Sequence, residues 1–170
     1  MQPGVVIFAV GNRSRGDDAI GPLLLERLLP WLGAAARAHE FELIDDYQLQ
    51  IEHALELRGR RLALFIDAGV DTPRPFQFYP VVAAPAAGSS STHQLSPQGV
   101  LEVYRRIETA AAPPAFVLCV RGERFGLGEG LSDQARAHAQ AAWEQLTRLC
   151  RRPDAARWRD LANTPGPGAA

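Results

Sequence analysis

Residues 5–10, Val-Val-Ile-Phe-Ala-Val, are apolar at every position and β-branched at the start. Such a run cannot alternate between core and solvent. It therefore reads as a strand buried on both faces, as in the interior of a parallel sheet covered by helices. A polar, glycine-containing loop follows. Apolar residues then recur at Ile20, Leu23, Leu24, Leu28 and Trp31, the stripe of a helix in which Pro22 is tolerated only within the first turn. This placement puts Asp17 and Asp18 at or just before the helix N-terminus.

The alternation continues along the chain. Residues 41–44 predict a strand, 48–57 a helix and 62–66 a second fully buried strand, which makes a βαβαβ opening. A strand around 76–82 leads into a Pro/Ala/Gly/Ser stretch over 83–91. Ser96 and Pro97 then have the types expected of an N-cap and a first helical residue. Residues 115–120 predict a fifth strand, followed by a glycine-rich loop, Arg121 to Leu131, of open role. Ser132 heads a long helix striped at Ala135, Ala139, Ala142, Trp143, Leu146 and Cys150.

The expected fold is α/β: a three-layer α/β/α sandwich around a mostly parallel sheet of about five strands. It forms one domain over residues 1–150, with 151–170, ending in a Pro/Gly/Ala run, as a flexible tail. Sheets of this kind bind ligands outside the carboxyl ends of their strands, so the loops after Val10, Ile66, Val82 and Val120 are where a site belongs.

Composition removes several classes of function. The 18 basic and 19 acidic residues nearly cancel, which leaves no basic stripe for a nucleic acid. The N-terminal apolar run lacks a basic leader and is too short to span a membrane, so a cytoplasmic protein without membrane attachment is expected. Cys119 and Cys150 lack the spacing of a zinc site.

Three of the predicted loops carry acids or an imidazole: Asp17 and Asp18 after the first strand, Asp67 after the third, and His93 after the fourth. Two carboxylates and an imidazole can hold one divalent ion such as nickel or zinc, leaving coordination positions for water or a substrate atom. Each residue also has a plainer reading. Asp17 or Asp18 can cap the helix, Asp67 can cap its loop, and His93 can be an ordinary loop residue; His39, His53 and His138 have less claim as ligands, and Glu52 and His53 read as a solvated helix face. The first loop is not a dinucleotide fingerprint, because Asn12 and two carboxylates stand where glycines would admit a pyrophosphate. A hydrolase pairing Cys119 with His93 is also conceivable, but Cys119 lies in the apolar run 116–120, where an inert thiol is expected.

The stretch Ala9-Val10-Gly11-Asn12 through Gly16-Asp17-Asp18-Ala19-Ile20-Gly21-Pro22 resembles the N-terminal motif of the hydrogenase maturation endopeptidases. Phe65-Ile66-Asp67-Ala68 and Ser91-Thr92-His93-Gln94-Leu95-Ser96 resemble the family's next two motifs, in family order, across about residues 4–150. The resemblance implies an aspartyl-protease-like peptidase that removes a C-terminal peptide from the large-subunit precursor of a nickel-iron hydrogenase. Nickel is supplied by that precursor, no permanently bound cofactor is expected, and the enzyme is expected to be a monomer. Asp18, Asp67 and His93 correspond to the nickel-sensing ligands and, with Asp17, form the candidate catalytic group. A non-proteolytic, nickel-dependent maturation chaperone for the same subunit would use the same ligands. The segment 46–55 and Arg121-Gly122-Glu123 most resemble the subgroup serving soluble NAD-reducing hydrogenases. Asp45 falls where relatives carry an Asp before a glycine-rich stretch that is absent here, and its role is open.

Overall fold

A computed structural model describes residues 1–85 and 95–164 of the chain. Strand β1, Val5–Val10, is buried at every residue, because parallel neighbours flank it on both edges and helices cover both faces. Those neighbours are β2, Phe41–Asp46, and β3, Leu62–Gly69. With β4, Phe76–Val81, and β5, Ala115–Arg121, they form a five-stranded sheet in the order β2-β1-β3-β5-β4.

Alternation along the strands divides the core in two. Val5, Ile7 and Ala9, with Leu62, Leu64, Ile66, Phe116 and Leu118, face a layer made by α1, Ile20–Ala34, α3, Asp133–Arg151, and α4, Ala155–Ala162. Val6, Phe8, Phe65 and Val117 face α2, Pro97–Ile107, and a 3-10 helix, Ile51–Leu57. The three-layer α/β/α sandwich read from the pattern is present. Ser96 and Ser132 cap α2 and α3 as their residue types require, accepting from Gly99 N–H at 3.1 Å and Ala135 N–H at 3.2 Å. No helix among the described residues is long and apolar enough to cross a membrane.

Four local features depart from the pattern. Strand β4 runs antiparallel to β5, with Val81 opposite Ala115, so the chain after Val82 leaves the sheet at the amino ends of the parallel strands. The connection over residues 70–75 is too short for the crossover that a parallel β4 would need. Strand β3 continues past Ile66, which places Asp67 inside the strand opposite Cys119. The helix expected over 48–57 is a 3-10 helix over the second part of that range. Finally, residues 155–162 are helical rather than a mobile tail. Trp158 is fully buried, its indole N–H donates to Leu149 O at 3.1 Å, and its ring meets Phe116 edge-on at 5.4 Å.

Candidate functional site

The end of β1 turns sharply at Gly11, whose φ of +147° and 2.0 Å approach of a notional Cβ to Asp18 O exclude any side chain. This close approach folds residues 12–15 against a 3-10 turn, Gly16–Ala19, that leads directly into α1. At the turn, Asp18 accepts from Asn12 N–H through Oδ2 at 2.7 Å. Neither Asp17 nor Asp18 caps a helix through its side chain, so the plain capping reading of this pair does not apply.

Asp18 lines a cavity of about 500 Å³ at the carboxyl ends of β1 and β3, together with Val10, Phe65 and Asp67. Tyr47, Leu49, Leu95 and Ser96 also line it. Asp67 Oδ1 accepts from Ala68 N–H at 2.8 Å. Among the described residues, Asp18 Oδ1 and Asp67 Oδ2 accept no hydrogen bond. Two hard oxygen donors thus belong to one cavity, a donor set suited to a divalent cation.

Burial drives the Asp67 carboxyl up to about 7, against the pull of the Ala68 N–H and with the help of the negative charge of Asp18. In the unfolded chain the group returns to its ordinary value of 3.8. Below that value both states hold the proton and Asp67 carries no penalty. Stability is lost as pH rises from there to about 7 and stays lost above it. The variant Asp67→Asn keeps the acceptor for Ala68 N–H and removes the charge. It is expected to stabilise the fold at pH 8 by about 2–4 kcal/mol, read as a melting temperature roughly 5–10 °C higher, with the gain vanishing near pH 3.

Asp17 occupies a different environment. It is completely buried and is not part of the cavity wall. Its Oδ2 accepts from Glu123 N–H at 2.7 Å, Arg124 N–H at 2.8 Å and the Ser132 hydroxyl at 2.8 Å, and its Oδ1 accepts from Ser132 N–H at 2.8 Å. Burial alone would raise its carboxyl, but these bonds outweigh that effect and hold it below the ordinary range. A carboxylate so enclosed cannot reach an attacking water, which separates Asp17 from the candidate catalytic group in which the sequence placed it.

His93 lies outside the described residues. The chain re-emerges beyond it at Leu95, whose N–H donates to Leu49 O at 3.2 Å in an isolated antiparallel bridge, and Ser96 and Pro97 reach the cavity wall. Among the described residues no group of three or more His, Cys, Asp or Glu side chains is close enough to hold a metal ion.

No protein-family model and no curated protein matches the chain. Solved structures do. An endopeptidase from Escherichia coli, studied in solution, is 24% identical with a TM-score of 0.66, over 88% of this chain and 93% of its own. The NiFe hydrogenase maturation protease HycI from Thermococcus kodakarensis is 22% identical with a TM-score of 0.63, over 86% and 92%. The hydrogenase maturating endopeptidase HybD from E. coli is 21% identical with a TM-score of 0.61, over the same shares. This chain has their fold.

Other residues at the rim have assignable roles. His53, read from the pattern as lying on a solvated face, is buried; its Nδ1 accepts from Gln50 N–H at 2.9 Å and its Nε2 lies 3.4 Å from Asp46 Oδ2. Asp45 pairs with Arg13 at 2.7 Å, and Arg13 also pairs with Glu26 at 2.7 Å, all on the surface, where such pairs contribute about 0–1 kcal/mol. Tyr47 is 72% exposed at the cavity mouth, a position the pattern did not single out although an aromatic just past a strand end was the available signal. Cys119 contacts the Thr72 hydroxyl at 3.0 Å, and burial pushes its thiol up, opposite to what an activated nucleophile needs.

Proposed function

We propose that this chain is an endopeptidase that removes a C-terminal peptide from the nickel-loaded large-subunit precursor of a nickel-iron hydrogenase. The observation that supports the reading most is the pair Asp18 and Asp67, facing one open cavity at the strand ends of a fold shared with hydrogenase maturation proteases. The three motif matches in the sequence support it independently, and His93 completes the ligand set from the segment between β4 and α2.

The chemistry follows from the burial of Asp67 and, to a lesser extent, from its repulsion by Asp18. With no cation present, both effects disfavour the ionised form, and Asp67 retains a proton to about pH 7. A precursor that presents nickel relieves this repulsion and gains oxygen and imidazole contacts, whereas one without nickel gains neither. Metal insertion is thereby checked before cleavage. Asp18 and Asp67 would hold the precursor's nickel, which would supply Lewis-acid polarisation of the scissile carbonyl or the attacking water, and a carboxylate oxygen left uncoordinated would accept the water's proton. The substrate subgroup, precursors of soluble NAD-reducing hydrogenases, and a cytoplasmic setting are finer parts of the same reading.

Intact-mass measurement of precursor incubated with the protein tests it. Nickel-loaded precursor is expected to lose a short C-terminal peptide, and nickel-free precursor to remain whole. Binding of nickel-loaded precursor without any loss of mass would replace the endopeptidase with the chaperone reading.

A further inference from the structure

We propose that Asp17 is the positioning residue of this site, its buried carboxylate locking the Gly16–Ala19 turn onto residues 122–132 and so fixing where Asp18 stands in the cavity. The inference rests on the reading of Asp18 as a substrate-facing ligand.

A fully buried carboxylate is unfavourable unless its charge is satisfied, and among the described residues Asp17 has no ion-pair partner. Three backbone N–H groups and one hydroxyl replace the cation. Two of those donors belong to Ser132, the N-cap of α3, so the positive end of a 19-residue helix also faces the charge. The backbone repeats the attachment. Asp17 N–H donates to Arg124 O at 2.7 Å, Gly16 N–H to Glu129 O at 3.1 Å and Gly128 N–H to Ser14 O at 2.7 Å. There is no slack between the two loops: a Cβ at Gly16 would meet Arg124 O at 2.5 Å, and one at Gly122 would stand 3.1 Å from Asp17 Cβ.

The Asp18 side chain, by contrast, accepts one hydrogen bond among the described residues, from Asn12 N–H, and its own N–H donates only within the turn, to Arg15 O at 3.1 Å. The direction in which its side chain leaves the backbone is therefore set mainly by the neighbouring residue's anchorage. Asn12 N–H reports that direction, because it keeps its acceptor only while Asp18 stays in place.

The test is amide hydrogen exchange on the full ¹⁵N-labelled chain carrying Asp17→Asn. The amide of this variant puts an N–H group against donors whichever way it is turned. Protection at Asn12 is expected to fall by about tenfold, as for the loss of one hydrogen bond, with strand amides at Leu64 and Phe116 unchanged. Ser132→Ala removes one of the four donors and also the acceptor for Ala135 N–H; a smaller fall at Asn12 is expected, together with a fall at Ala135 from the lost cap, with Leu64 and Phe116 unchanged. Trimming of nickel-loaded precursor by Asp17→Asn should slow by about 10- to 100-fold. Unchanged protection at Asn12 in the folded variants, an equal loss at Leu64 and Phe116, or wild-type trimming alongside a lost Asn12 bond would each overturn the proposal. If the wild-type chain itself trims nothing, the functional reading fails while the exchange measurement still decides the role of Asp17.

Discussion

Replacing Asp18 with alanine is expected to slow trimming of nickel-loaded precursor by roughly 10²–10⁴-fold, the range over which a carboxylate acting on substrate or proton is felt. The fold should survive, because the Asp18 side chain accepts one hydrogen bond among the described residues, from Asn12 N–H, and sits at a cavity wall rather than in the core. Its removal also relieves the repulsion that helps to hold the Asp67 carboxyl up. The melting temperature should therefore stay within about 3 °C of wild type, as for most substitutions away from the core. Precursor turnover and a thermal melt on the same preparation separate the two effects.

Alanine at Trp158 is expected to have the opposite signature, a loss of about 3–5 kcal/mol of stability with the cavity chemistry intact in whatever fraction remains folded. Trp158 is fully buried in the core: its ring meets Phe78 at 6.3 Å and Phe116 at 5.4 Å, and its N–H satisfies Leu149 O near the end of α3. Truncation leaves a void under β4 and an orphaned carbonyl acceptor. Urea denaturation followed by circular dichroism reads the loss as a lower midpoint with little change in slope.

That role of Trp158 was hidden in the sequence for an identifiable reason. The buried stripes of α1 and α3 span several turns and stand out by period alone, as does the run in β1. Helix α4 is eight residues long and buries one side chain completely, too short a segment for periodicity to register. The antiparallel β4 was equally silent, since strand direction depends on the length of the connection over 70–75 rather than on side-chain alternation. The buried His53 was missed because a ring nitrogen accepting from Gln50 N–H cannot be distinguished from a solvated imidazole by residue type.

At the site, the sequence brought the correct loops into consideration without separating their members. Asp17 and Asp18 are adjacent and chemically identical, yet one is sealed by four hydrogen bonds and the other opens on the cavity. The partners that divide them, Glu123, Arg124 and Ser132, lie more than a hundred residues away along the chain. Only tertiary structure could assign the roles. Asp67 was legible as the acid at a strand end, but its raised carboxyl comes from enclosure by the residues around it, which no local pattern encodes.

In the proposed endopeptidase, Asp67 is kept at an energetic cost to the fold because its charge is needed at the substrate. The measurement that tests this most directly is the rate at which Asp67→Asn trims nickel-loaded precursor, taken beside its melting temperature at pH 8. A protein that melts higher than wild type and leaves the precursor at full mass is the predicted result. Trimming at the wild-type rate by the same variant would contradict the account.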